Sequence, residues 1–449
     1  MRVLLANKDN VKQLIILGNG FDLQCGIKTT YSSFIEYVLT NKYKSYLEQL
    51  SQNNLTAIES FEKYVQNLVN CYNDDLLIDS SLNVTWSFFP KINIWYIIFL
   101  YEKINQSANW SSVEDIIKRY VKTSDMPIAK FTEFLSDAVF IRAFHKVRKS
   151  AYYMEQKTLE NFARLIVCHL FRRINDVKII KLNSLIEQIE SYEKIFNTNN
   201  SEDNLDKIEQ NNLPKVQNLI TEILLSELND LEDDFQDFLQ NQLADHLEYS
   251  QNVSNTLYEI AKTNNHELNY NIFNFNYTVP WKKDKRLFPK LKSYINVHGE
   301  MKADNSIMNN IIFGIDSIGL DPIKHEYRFT KAYRTLELYT DYNYLAESTE
   351  KIFTKDIVVI KFYGHSLTEA DYSYFQHIFD LYDLYNSSVK LIFYYSEYAG
   401  REASDIKQEQ LSSISCLIEK YGETLDNKNH GKNLLTRLIQ TGRLKLICI

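Results

Sequence analysis

The hydrophobic pattern divides the chain into strand-like ends and a long helical middle. Short, continuously apolar runs, which are typical of strands covered on both faces, occur near the N-terminus and through the second half. These runs are Leu14 to Leu17, Tyr270 to Phe275, Tyr294 to Val297, Ile311 to Phe313, Asp356 to Tyr363, Val389 to Tyr395 and Leu444 to Ile449. Helical spacing at 327–352, 370–385 and 404–420 separates the later runs. This alternation predicts an α/β fold with a mostly parallel, doubly wound sheet.

The region between about residue 40 and residue 265 has helical spacing instead, as in Val216, Ile220, Ile223, Leu224 and Leu228. The polar, Asn-rich stretch from 197 to 212 predicts a surface loop between helices. We therefore predict a nucleotide-binding α/β domain made of residues 1–40 and 266–449. A mainly helical insertion domain is predicted over residues 41–265.

Composition and charge narrow the classes of protein. Of 449 residues, 45% are hydrophobic and 24% charged, as in ordinary globular proteins. The net charge of -8 argues against a protein that coats nucleic acid. Its 5 cysteines are scattered without a C-x-x-C pair, which favours a reducing cytoplasm and predicts no zinc framework. The most apolar run, 92–101, is far shorter than the roughly 20 residues that span a bilayer. We expect a cytoplasmic protein without membrane contact.

Glycine is scarce, which gives its positions meaning. There are 11 glycines, and residues 27 through 298 contain none. Yet the first apolar run leads directly into Gly18, Asn19 and Gly20, a turn that can present backbone N–H groups to a phosphate. Because Gly26 lies three positions too late for G-x-G-x-x-G, a dehydrogenase-type NAD site is poorly supported. The alternative is a structural tight turn in which Asp22 caps a helix.

Polar side chains follow other predicted strands as well. They are Asn274, Asn276 and Thr278 after one strand, His298 before Gly299, and the group Gly364, His365, Ser366 and Asp371. Parallel sheets bind ligands at the carboxyl ends of their strands, so these residues together predict a site there. Taken singly, each has an ordinary structural explanation: amides that stabilise loops, a buried structural histidine, and an acid at a helix N-terminus.

The motifs at these positions resemble the bacteriophage abortive-infection AbiH family. They are GNGFDL-x-x-G-x-x-T-x-Y from Gly18 to Tyr31, NFNYT at 274–278, HG at 298–299, IFGID at 312–316, GHSL…D…YF at 364–375, and Trp110 with Glu114. The resemblance covers most of the chain and implies a role in antiviral defence.

A more distant likeness is to sirtuin-like NAD-consuming domains. The shared order is Gly-x-Gly…Gly-Ile, then Asn-x-(acid), His-Gly and Gly-x-Ser. It implies a Rossmann-like sheet, Asn276 and His298 as catalytic residues, and Gly18, Gly20 and Ser366 at dinucleotide-binding positions. Two departures stand out. Tyr277 and Thr278 occupy the place of the acid, and Asp22 adds a negative charge to the first loop.

The resulting hypothesis is hydrolysis of NAD at the bond between nicotinamide and ribose. Asn276 would position the ribose or the attacking water, and His298 would accept a proton. Nucleotide-binding residues would come from two loops: Gly18, Asn19, Gly20, Phe21 and Asp22, and then Gly364, His365, Ser366 and Asp371. NAD is the substrate, and the reaction needs no cofactor and no metal. A phage-derived trigger and a homo-oligomer remain open as partners.

Other classes of function stay open. A nucleotide-binding sensor without turnover is favoured by the missing acid after Asn276. A metal-dependent nuclease would use Asp22, His298, His365 and Asp371, although the chain shows no metal-ligand spacing such as H-x-x-x-H. A structural trap for a phage protein would leave the polar residues at the strand ends unexplained.

Overall fold

The computed structural model describes residues 11–44, 59, 92–105, 113–122, 203–263, 266–301, 310–341, 352–367, 371–397, 402–425 and 433–449. The chain divides into two compact units. The first comprises Met1–Ser33, Phe235–Ile318 and Lys331–Ile449, and the second comprises Phe34–Asp234 and Gly319–Thr330. The domain boundaries expected from the sequence, at residues 40 and 265, stay a prediction.

The elements are numbered here along the chain. The strands are β1 (Gln13–Leu17), β2 (Lys262–Thr263), β3 (His266–Glu267), β4 (Tyr270–Asn274), β5 (Leu291–Asn296), β6 (Val359–Tyr363), β7 (Lys390–Tyr395) and β8 (Leu444–Cys448). The helices are α1 (Asn19–Gln24), α2 (Tyr31–Asn41), α3 (Ile94–Asn105), α4 (Val113–Lys122), α5 (Asp203–Asp245), α6 (Tyr249–Ala261), α7 (Pro280–Lys283), α8 (Lys331–Asp341), α9 (Tyr372–Leu381), α10 (Ala403–Thr424) and α11 (Leu434–Gln440). Two 3-10 helices span Lys285–Leu287 and His325–Phe329.

The first unit is built on a six-stranded sheet with the order β5-β4-β1-β6-β7-β8. All of its neighbouring strands are parallel. On one side of β1 lie β4 and then β5, and on the other side lie β6, β7 and β8. Doubly wound dinucleotide-binding sheets have the same arrangement. The order reverses between β1 and β6, which is where such sheets usually bind ligands. The predicted α/β class and parallel sheet are confirmed.

Both faces of this sheet are covered, which explains why its strands are continuously apolar. Leu14 and Ile16 of β1 belong to a core shared with α9, α10 and α11. Ile15 and Leu17 face the other way, into a core shared with α6. In register, Leu17 pairs with Asn274 of β4 and with Tyr363 of β6. The loops that follow these three strands therefore begin at the same edge of the sheet.

The last turn of α6 is anchored by polar side chains of the sheet. The Lys361 ammonium, on β6, donates to the carbonyl of Ile260 (2.7 Å), and the Gln13 amide, on β1, donates to that of Ala261 (2.9 Å). Burial lowers the pKa of Lys361 to about 8. These contacts satisfy carbonyl groups that the end of a helix leaves without intrahelical partners.

In the second unit, Asn93 starts α3 by accepting a hydrogen bond from the Trp95 N–H at 2.9 Å. The Trp95 indole in turn donates to the Leu224 carbonyl of α5 at 3.0 Å. The described part of the chain between β1 and β4 is largely helical, from α1 to α6. Among the described residues, no helix is both long enough and apolar enough to cross a membrane.

Two local predictions were wrong. Residues 311–313 were expected to form a strand but are irregular, because the Ile312 N–H is bonded to the His298 carbonyl (2.9 Å) instead of to a neighbouring strand. The polar stretch 197–212 was expected to be a loop, yet α5 begins at Asp203. A polar composition indicates that a segment is exposed to water, and an exposed segment can still be helical. Trp110 lies outside the described residues.

Candidate functional site

Three buried side chains meet around the buried carboxylate of Asp371. The Lys331 ammonium is 2.6 Å from Oδ1, and Nε2 of His365 is 3.2 Å from Oδ2. Nε2 of His298 lies 3.3 Å from Oδ1, although the geometry is not that of a hydrogen bond. We call these four residues the carboxylate cluster.

The fold explains why the four residues converge. His298 follows β5 and His365 follows β6, so both begin at the carboxyl edge of the sheet. Asp371 is the N-cap residue of α9, and Lys331 is the first residue of α8. The Phe275 ring lies edge-on to both imidazoles, with centroid distances of 5.4 Å to His298 and 4.4 Å to His365. This aromatic packing contributes to the burial of both histidines.

The hydrogen bonds of His365 define its tautomer. Its Nδ1 accepts from the Leu367 N–H at 2.8 Å, so the ring proton is on Nε2, the nitrogen that faces Asp371. Leu367 has a φ of 57°, which is costly for a residue with a side chain. The tight turn after β6 thus accepts local strain and fixes one histidine tautomer.

Electrostatics keeps His298 neutral. Burial lowers its pKa to about 4, the Lys331 ammonium acts in the same direction, and the nearby Asp371 only partly opposes them. For Asp371, burial raises the pKa, but Lys331 and the two histidines outweigh it and hold the pKa well below its usual range. At neutral pH the cluster therefore contains a Lys331–Asp371 ion pair beside an uncharged His298.

Asp22 belongs to a second cluster. Its Oδ1 accepts from the Tyr249 hydroxyl at 2.7 Å, and its Oδ2 accepts from the Thr278 hydroxyl at 2.9 Å. Burial raises the pKa of Asp22 to about 6. These bonds fasten α1 to α6 and to the loop after β4. The Asp22 carboxylate thus lies beside Thr278, and its oxygens are engaged by hydroxyl donors.

Gly18, which follows β1, and Gly20, in the first turn of α1, make a close backbone contact with the loop after β6. Gly18 N–H donates to the Tyr363 carbonyl (3.0 Å), and Gly20 N–H donates to the Gly364 carbonyl (2.8 Å). A Cβ added to Gly20 would lie 2.8 Å from Cα of Gly364, so a side chain does not fit. Phe21 N–H is bonded to the Gly18 carbonyl at 2.9 Å. Phosphate binding by these N–H groups stays a prediction and requires that they exchange partners.

The remaining predicted residues lie in separate environments. Asn19 exchanges two hydrogen bonds with Thr29, and Ser366 is exposed. The Asn276 amide donates to the Gly18 carbonyl at 3.0 Å. Among the described residues, no hydrogen bond joins Asn276 to His298. The two residues expected to be catalytic therefore belong to different networks, although Phe275 beside Asn276 contacts the His298 ring.

Sequence reasoning found three members of the carboxylate cluster and missed Lys331. A lysine in the first turn of a helix carries no motif, and only its burial, at 2% exposure, marks it. Within the described residues, no group of three His, Cys, Asp or Glu side chains is placed to hold a metal ion. Asp22 lies in its own cluster, and the Lys331 ammonium is paired with Asp371. This arrangement does not favour the alternative of a metal-dependent nuclease.

Comparison with known families gives one match. The family model described as "Bacteriophage abortive infection AbiH" matches residues 14–395, a range that contains both clusters. Neither the curated proteins nor the solved structures give a match.

The contact between the two loops can be tested with Gly364→Ala, using Gly442→Ala as the matched control. Both glycines have positive φ, 71° and 66°, so both substitutions strain the backbone. At Gly364 the new Cβ would lie 2.2 Å from the Phe21 nitrogen, whereas nothing lies within 4 Å at Gly442. We expect Gly364→Ala to lower the free energy of unfolding by about 2 kcal/mol more than the control in urea denaturation. Equal losses would contradict the close contact.

Proposed function

Because the chain belongs to the bacteriophage abortive infection AbiH family, it acts in defence against phage, and we propose that it does so by hydrolysing NAD. The bond cleaved in this proposal joins nicotinamide to ribose. The carboxylate cluster carries the proposal, because it brings His298, His365 and Asp371 together at the carboxyl edge of the sheet.

The order of the strands supports a nucleotide as ligand. Sheets of this order bind nucleotides outside the carboxyl ends of their strands, next to the point where the order reverses. The loops after β1 and β6 flank that point, and the loops after β4 and β5 carry Asn276 and His298. In the proposal, Gly18 to Asp22 bind the nucleotide together with Gly364, His365, Ser366 and Asp371, and Ser366 contacts a ribose hydroxyl.

The proposed reaction consumes one molecule of NAD and one molecule of water. A water oxygen bonds to C1′ of the ribose, and the bond from C1′ to the pyridinium nitrogen breaks. The electron pair of that bond stays on nicotinamide, which leaves as a neutral molecule. The water proton passes to His298 and then to solvent, and ADP-ribose is the second product. The main task of such a site is to stabilise a sugar with oxocarbenium character.

Neutral His298 suits the role of proton acceptor, because its lone pair is available at physiological pH. Asp371, 3.3 Å away, would stabilise the imidazolium as it forms. The resting site has one obstacle to phosphate binding, because Gly20 N–H is bonded to the Gly364 carbonyl. We propose that a phosphate of the nucleotide replaces the Gly364 carbonyl as the acceptor of the Gly20 N–H. An infection signal would then act by breaking the hydrogen bond between Gly20 and Gly364.

A sensor that binds a nucleotide without turnover is the second candidate. Two observations favour it: the Lys331 ammonium occupies Oδ1 of Asp371, and a histidine with a pKa of about 4 is a weak base. This candidate predicts tight binding of NAD with no release of nicotinamide.

The role of His298 can be tested with His298→Asn in purified protein supplied with NAD. Loss of a general base typically lowers the rate by about 10²–10⁴-fold, and we expect a loss in this range, measured as nicotinamide release. His377→Ala is the control, because His377 is exposed on α9 and packs against Phe353, away from the cluster. Turnover by His298→Asn at the wild-type rate would exclude His298 as the base. Binding without turnover by the wild-type chain would favour the sensor.

A further prediction is the pH dependence of kcat/KM. A base must be unprotonated to act, and the pKa of His298 is about 4 in the folded protein. Measured in Asp22→Asn, so that Asp22 with its pKa of about 6 does not titrate in the same range, activity should therefore stay constant between about pH 5 and about pH 7 and fall only in more acidic solution, where His298 takes up a proton. A base with the ordinary histidine pKa would instead lose activity below about pH 6.5. Initial rates across this range distinguish the two, and a fall centred near about pH 6.5 would contradict the assignment.

A further inference from the structure

The N-terminus of α9 is capped by a residue outside the helix. Asp371 occupies the N-cap position, but its side chain makes no capping hydrogen bond. Instead, Oδ2 of Asp316 accepts from the Ser373 N–H at 3.1 Å. Ser373 is the second residue of α9, and its N–H is one of the donors that an N-cap aspartate ordinarily satisfies with its own carboxylate.

Asp316 is held by its own loop. Its Oδ1 accepts from the Ile318 N–H at 2.8 Å, which closes a local turn. The preceding residue, Ile315, accepts at its carbonyl from the Lys331 N–H at 2.9 Å. The Ile312 N–H donates to the His298 carbonyl, also at 2.9 Å. The segment 312–316 is therefore bonded to the backbone of His298 and Lys331 and to the helix that begins after Asp371.

The two possible uses of the Asp371 carboxylate compete. If it turned back to cap α9, at least one of its oxygens would leave Lys331 or His365, which contact Oδ1 and Oδ2 respectively. Either change would weaken the pairing of the buried Asp371 carboxylate, which is unfavourable. A second acid at the helix end removes this competition.

We infer that Asp316 is a positioning residue that caps α9 in place of Asp371 and so leaves both carboxylate oxygens of Asp371 to the carboxylate cluster. The structural part of this inference is independent of the substrate. Its consequence for catalysis rests on the proposed function, because it assumes that the cluster acts on NAD.

The test compares Asp316→Ala with Asp321→Ala. Oδ1 of Asp321 accepts from the Ile323 N–H at 3.0 Å, which is the same kind of local turn, and Asp321 is exposed. The control therefore removes a turn of this kind without removing a helix cap. Hydrogen exchange of the first turn of α9, followed by mass spectrometry, should be about five- to tenfold faster in Asp316→Ala and unchanged in Asp321→Ala.

Two further measurements separate positioning from a general loss of stability. The ring ¹⁵N resonances of His365 should shift in Asp316→Ala, because Asp371 turns away from Nε2. In the NAD assay, kcat should fall about tenfold with KM changed less than about twofold, since Asp316 does not contact the ligand. Asp316→Asn should restore part of kcat, because its single amide oxygen can accept from the Ser373 N–H while its NH2 group cannot accept from the Ile318 N–H.

If Asp316→Ala does not fold, Asp316→Ser replaces it. A serine hydroxyl can keep the local turn to Ile318 but is too short to reach Ser373. Exchange in α9 and His365 resonances that match those of Asp321→Ala would overturn the inference. If hydrogen exchange in α9 and the His365 resonances both change in Asp316→Ala, but the wild-type chain does not hydrolyse NAD, the positioning role stands and the proposed function fails.

Discussion

A buried carboxylate has to be paired, and the Lys331–Asp371 ion pair meets this requirement at the carboxyl edge of the sheet. The pair ties the first residue of α8 to the residue that precedes α9. It also provides the negative charge toward which His298 and His365 turn. Removing Lys331 would deprive the buried Asp371 carboxylate of the ammonium that lies 2.6 Å from Oδ1. The arrangement of the site thus follows from one electrostatic constraint, and the neutral state of His298 follows from the same burial.

The rest of the edge is organised by backbone contacts rather than by charge. The loops after β1 and β6 approach so closely that glycine is required on both sides. Their N–H and carbonyl groups bond to each other across the point where the strand order reverses. Asp22 also fixes α1 in place, by accepting hydrogen bonds from Tyr249 of α6 and from Thr278 after β4. Backbone hydrogen bonds therefore span the position where we propose that a nucleotide binds.

The sequence predicts the parts of this architecture that depend on local pattern. Strands such as β1 and β6 are recognisable because both faces are buried, which makes their residues continuously apolar. His298, His365 and Asp371 could be grouped in advance because parallel strands end at one edge. Lys331 could not, since its pairing depends on where α8 begins relative to α9 in space. The short apolar run at 311–313 was mistaken for a strand because burial alone does not show whether a segment bonds to a sheet or to His298.

The central claim is that defence against phage proceeds through NAD cleavage at His298. The most direct measurement is the level of NAD and nicotinamide in cells challenged with phage, comparing the wild-type chain with His298→Asn at equal expression. The account predicts that NAD falls and nicotinamide rises after infection in wild-type cells, and that both stay level, with protection lost, in the variant. Protection of wild-type cells with NAD at its uninfected level would contradict it.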